Sequence, residues 1–129
     1  MGFDQYHEPP NELSAETRTF ARMITSLIEE AEAIGWYEQR LAIEPNPVAR
    51  AVMANAVGEE FKHFSMDLEF LLRQKPEWRE IARGILFKDG EIVEHGEAAE
   101  EAAGEDDATL DPAPTGSISL GIGSLRGRP

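Results

Sequence analysis

Two long runs of helical periodicity, broken once by Glu44-Pro45-Asn46-Pro47, constrain this chain more than any other feature. In the first run, apolar residues recur at Phe20, Met23, Ile24, Leu27, Ala31 and Ile34, and Tyr37 and Leu41 continue the line. Steps of three and four place them on one face of a helix. Ser14 offers a hydroxyl to the first free amides and Glu16 an early acid, so the helix is expected to start there and to run for about 28 residues. Proline has no amide to donate, and its ring collides with the preceding turn, so Pro45 and Pro47 forbid continuation. A second helix is expected from near Val48 to about Gln74. A turn this short forces the two helices to lie antiparallel.

The second helix carries two stripes. Val57, Phe61, Phe64, Leu68 and Leu71 form an apolar one, and Met53, Ala56, Glu60 and His63 form a mixed one. One stripe can pack on the first helix. The other needs a different partner. Pro76 closes the second helix, and a third is expected over 77–87, with Trp78, Ile81, Ala82, Ile85 and Leu86 as its apolar face. Asp89-Gly90 reads as a turn and 94–103 as a weak acidic helix.

The expected organisation is an irregular arm over 1–13, a helical domain over 14–95, an acidic flexible linker over 96–116 and a distinct terminal segment over 117–129. The linker has the composition of disorder. The terminal segment does not, because Ile118, Leu120, Ile122 and Leu125 recur regularly in it. The fold class is all-α: a two-helix antiparallel hairpin plus a short third helix.

Charge and composition exclude several functions. The 129 residues carry a formal net charge of −13. Residues 1–88 hold 15 acids and 10 bases, whereas 89–129 hold 10 acids and only 2 bases, so the excess is concentrated in the tail. Such a chain is a poor ligand for nucleic acid or for an anionic membrane. There is no cysteine, hence no disulfide, zinc finger or thiolate nucleophile. No apolar run approaches the roughly 20 residues of a membrane helix, and the polar stretch from Met1 to Pro10 lacks the basic–apolar–small layout of a signal. A soluble protein of the cell interior is expected.

The chemistry resides in the hairpin. Glu60 and His63 are three residues apart, so both face the same way and can reach one transition-metal ion. Pro45 marks the turn, with Glu60 15 residues after it and Glu30 15 residues before. At about 1.5 Å per residue both stand roughly 22 Å from the turn, level across the pair. Glu30 also belongs to the inward stripe, where an unpaired carboxylate costs several kcal/mol to desolvate. It needs a cation: either Lys62 or Arg22, or a metal shared with Glu60 and His63. Di-iron bundles use four helices, two giving one Glu each and two giving Glu-x-x-His. This chain has one of each, half a site, and two copies about a two-fold axis would complete it. Oxygen and imidazole ligands suit iron or manganese. Tyr37 lies near the same stripe, either beside the metals or as an ordinary core residue. Glu29, Glu32 and Trp36 share another face, either as a loose site for a hydrated cation or as a solvated acidic surface. His7 and His95 read as surface residues.

The segment from Glu29 to Arg40, Glu59-Glu60-Phe61-Lys62-His63, the third helix ending Ile85-Leu86-Phe87 and the terminal Leu120-Gly121-Ile122-Gly123-Ser124-Leu125-Arg126-Gly127 together resemble the encapsulated ferritins. These are the ferritin-like cargo proteins of bacterial encapsulin nanocompartments. The resemblance implies a half-ferritin whose dimer completes a four-helix bundle, with dimers assembling into a ring of ten chains. It implies a ferroxidase, oxidising Fe(II) to Fe(III) with dioxygen at a di-iron site formed by Glu30, Glu60 and His63 of two subunits, with Tyr37 close by. It implies a metal-admitting site at Glu29, Glu32 and Trp36. Leu120, Ile122 and Leu125 would dock on the inner wall of the encapsulin shell, in whose lumen, within the cytoplasm, the iron is stored. A short apolar motif on a linker is a tethered binding element. Two rivals use the same residues: a non-catalytic helical scaffold recruited by its tail, and a manganese or di-iron peroxidase on the same ligands.

Overall fold

A computed structural model describes residues 5–108, with side chains through residue 105. Among them are a 3-10 turn (Pro10–Glu12) and four helices: α1 (Ala15–Ile43), α2 (Pro47–Gln74), α3 (Pro76–Ile85) and α4 (Ile92–Ala108). The described part of the chain is all-helical, as the periodicity predicts. Ser14 caps α1, its hydroxyl accepting from the Thr17 amide. Asn46 caps α2 through Oδ1, which accepts from the amides of Val48 and Ala49. Pro47 therefore occupies the first helical position, where its missing amide costs nothing, and α2 begins one residue earlier than expected. The C-terminal end of α1 is tied down as well: Arg50 of α2 donates to the carbonyls of Leu41 and Glu44.

α1 and α2 pack against each other along their length as an antiparallel hairpin. What they bury is small. Among the described residues Val57, Leu71 and Leu72 of α2 and Ala82 of α3 are the buried apolar ones, and Leu71 alone is fully enclosed. α1 buries none of its 29 residues. Phe61, on the apolar stripe of α2, is 53% exposed, and Val48, Val52 and Met66 also face outward. Gly35 leaves α1 unbroken and faces open space rather than a neighbouring element.

α3 touches α2 lightly and is covered instead by α4. It ends at Ile85, two residues short of the expected 87, because Phe87 adopts φ 61°, a left-handed conformation that stops a helix. Gly90, at φ 101°, completes the turn, and His95 Nε2 donates to the Asp89 carbonyl at 2.8 Å. α4 runs to Ala108, beyond the weak helix expected over 94–103, so residues 104–108 are helical where only linker was expected. The crossing of α3 and α4 explains why. A Cβ on Gly84 would stand 2.5 Å from Ala99 Cβ, so the backbones meet where both residues are small. That docking supplies tertiary support which an acidic helix lacks by itself. No described helix is long and apolar enough to cross a membrane.

Candidate metal centre

The antiparallel register brings Glu30 of α1 beside Glu60 and His63 of α2. One ligand atom from each lies within 4.8 Å of the others, and among the described residues this is the one acidic–imidazole group so gathered. That span is close to the diameter of a coordination shell with bonds of roughly 2.0–2.2 Å. His63 Nδ1 points at both acids, 3.5 Å from Glu60 Oε2 and 3.9 Å from Glu30 Oε2. The carboxylates are largely covered, with 24% and 21% of their side chains exposed, while His63 is 46% exposed.

The electrostatics of this group are unbalanced. Glu60 Oε2 is buried and accepts no hydrogen bond, since His63 Nδ1 is within ion-pair range but not in hydrogen-bond geometry. Glu30 is pushed up from 4.5 to about 7. The first cause is the proton it can share with Glu60, then burial, then the Glu60 charge; Asp67 adds to the rise and His63 opposes it. Two carboxylates this close cannot both ionise cheaply without a cation. The side chains expected as alternative partners do not supply one. Lys62 pairs with Glu59 on the solvent side, which holds the Glu59 carboxyl below its usual range. Arg22 forms no ion pair with Glu30 among the described contacts. A divalent metal fits the donor set, because it would replace the retained proton and occupy the open Oε2.

The other expected positions lie apart from this group. Tyr37 is two turns from Glu30 toward the hairpin turn, half-buried, with the Arg40 guanidinium 5.4 Å above its ring. Glu29 and Glu32 are exposed, and Trp36 is 55% exposed on the same outer surface. Leu120, Ile122 and Leu125 lie outside the described residues. One residue was missed by spacing alone. Asp67 continues the Glu60–His63 stripe by a further turn, and its Oδ2 is buried with no hydrogen-bond partner.

Residues 5–89 match the model of the EncFtn-like family. The chain belongs to that family. An EncFtn-like identity agrees with the curated relatives it matches. One is an encapsulated ferritin-like protein of Rhodospirillum rubrum, 41% identical over 123 residues, or 94% of this chain and 87% of the relative. Another is a ferritin-like protein of Thermotoga maritima, 43% identical over 91 residues, or 70% of this chain and 80% of the relative. Among solved structures, a protein from Nitrosomonas europaea is similar at a TM-score of 0.68 and 38% identity, covering 70% of this chain and 99% of that one. The EncFtn-like match takes in α1, α2 and α3 and with them all three residues of the cluster.

Proposed function

We propose that this chain is the iron-oxidising cargo of an encapsulin compartment, and that two copies join to build its catalytic centre. The observation that carries the reading is the convergence of Glu30, Glu60 and His63, with no lysine or arginine paired to the two acids among the described residues. Iron is the substrate. The carboxylates of two subunits offset the charge of two Fe(II) ions, and the two imidazoles complete an oxygen-and-nitrogen ligand set that leaves positions open. Each Fe(II) gives up one electron, and the pair passes to dioxygen. Glu30 releases its proton as iron arrives, so its acidity couples loading to pH. The chain's own contribution is placement: two rigid helices hold the ligands at a common level, and burial of the carboxylates keeps competing water few.

Dimerisation is supported by what the single chain leaves uncovered. A 29-residue amphipathic helix with no buried residue has an apolar face unspent, and a second hairpin would cover it. The half-set of ligands calls for the same partner. Assembly of such dimers into a ring of ten belongs to this proposal. Glu29, Glu32 and Trp36, exposed along the outer face of α1, attract hydrated Fe(II) and pass it inward. In this reading Tyr37, two turns along α1 from Glu30, flanks the centre once two subunits join. The terminal Leu120, Ile122 and Leu125 attach the cargo to the shell wall, consistent with the encapsulated name of the Rhodospirillum rubrum relative.

Glu30→Ala, Glu60→Ala and His63→Ala each remove a ligand present twice per dimer. Each should abolish, or slow by at least about tenfold, the absorbance rise that follows mixing of Fe(II) with the protein in aerated buffer. Wild-type rates in all three would refute the assignment.

A further inference from the structure

One acid with a buried oxygen is not used by the centre described above. Asp67 lies four residues after His63 and seven after Glu60, so α2 presents all three on one stripe. Its Oδ2 is buried and accepts no hydrogen bond. Among the described residues no lysine or arginine forms an ion pair with Asp67. Arg18 donates to the Pro10 carbonyl, Lys75 lies 5.1 Å over the Phe20 ring, Lys62 pairs with Glu59 and Arg73 with Glu69. The α1 residue level with Asp67 is Met23, seven residues before Glu30, which offers no donor. Asp67 is near enough to the centre for its charge to bear on Glu30.

His63, 46% exposed, has a ring nitrogen free of protein partners among the described residues. Its Nδ1 faces Glu30 and Glu60, which leaves Nε2 as the remaining ring nitrogen, and no hydrogen bond is made there among the described residues. When Nδ1 binds a metal, the neutral imidazole must carry its proton on Nε2. An imidazole that ligates a metal keeps its orientation by giving that proton to an acceptor, commonly a carboxylate. An unpartnered donor and an unpartnered acceptor stand one helical turn apart on the same face.

We propose, building on the metal-centre reading, that Asp67 is the positioning residue of that centre: on metal binding its Oδ2 accepts the Nε2 proton of His63 and locks the imidazole with Nδ1 toward the ion. Asp67 touches neither metal nor oxygen. It acts through His63, fixing tautomer and ring plane, and the bond removes the buried orphan acceptor at the same time.

The test uses the full-length protein loaded with Zn(II) or Co(II), with no turnover. In the Zn(II)-loaded wild type, nitrogen-15 spectra of labelled histidine should show His63 protonated at Nε2, with that proton exchanging slowly with water. A fast-exchanging Nε2 proton, or protonation at Nδ1, overturns the proposal without any variant. Asp67→Leu, which removes the acceptor, should weaken Co(II) binding about 10–100-fold by titration calorimetry. Asp67→Asn, which keeps a neutral acceptor, should fall between the two and covers the case in which the leucine variant does not fold. Wild-type affinity in the folded variant overturns the proposal. His63→Ala separates the two readings. If it binds Co(II) like wild type, the metal centre is misassigned; if it loses Co(II) while Asp67→Leu does not, only the role of Asp67 is wrong.

Discussion

Glu60→Gln isolates the charge imbalance on which the metal centre rests. In the metal-free protein Glu30 titrates near 7 rather than at its ordinary 4.5. In the unfolded chain it titrates near 4.5. Below that pH both states hold the proton, and the stability the group confers is fully present. Between 4.5 and 7 the folded protein keeps a proton that the unfolded chain has released, so stability falls as pH rises, and the loss is complete above 7. At about 1.36 kcal/mol per pH unit the interval sets an upper bound of about 3 kcal/mol, which solvent reaching a quarter of the Glu30 side chain screens down. The glutamine removes the like charge and offers an amide N–H to Glu30, while burial and Asp67 continue to act. The variant should therefore recover part of the loss, ~1–2 kcal/mol near pH 8, and nothing near pH 4.5. The assay is urea unfolding of chelator-treated protein, followed by circular dichroism at fixed protein concentration across this pH range. Added Co(II) should raise the wild-type midpoint near pH 8 and leave the variant unmoved. A variant-minus-wild-type difference that does not change with pH, or a variant less stable near pH 8, would refute the reasoning.

Other expectations concern the scaffold and the tail. Leu71→Ala empties the one fully enclosed side-chain position and should cost about 2–5 kcal/mol in the same unfolding experiment. Gly84→Ala forces a methyl to within 2.5 Å of Ala99 Cβ, so α4 must move away from α3; a loss of about 1–3 kcal/mol, with faster amide exchange confined to α3 and α4, is expected. Deletion of 117–129 should leave iron oxidation intact and end co-purification with a co-expressed encapsulin shell. Retained co-purification would assign shell attachment to another part of the chain.

The hairpin was legible because its causes are local. Pro45 and Pro47 forbid one continuous helix, Ser14 supplies a cap, and steps of three and four set the inward faces, whatever else surrounds them. The level placement of Glu30 and Glu60 follows from counting residues on either side of the turn, since both helices rise equally per residue. α4 was the part least legible. Its acidic, alanine-rich sequence predicts a weak helix ending near 103, yet it extends to Ala108 because Gly84 and Ala99 let it lie close on α3. The exposure of Phe61 was equally hidden, because periodicity gives direction around a helix but not which neighbour is present to cover that direction.

By itself, then, the sequence determined the all-helical hairpin, the facing of Glu60 and His63 and their level with Glu30, all of them consequences of backbone geometry along a single chain. Only the tertiary structure decided the electrical state of that group. Lys62 was an eligible partner for Glu30 by sequence and pairs with Glu59 instead. Glu30 retains its proton to about pH 7, and Glu60 and Asp67 each bury an oxygen with no donor. These depend on which side chains exclude water and which charges remain within reach, quantities set by packing between helices and absent from the spacing along either one.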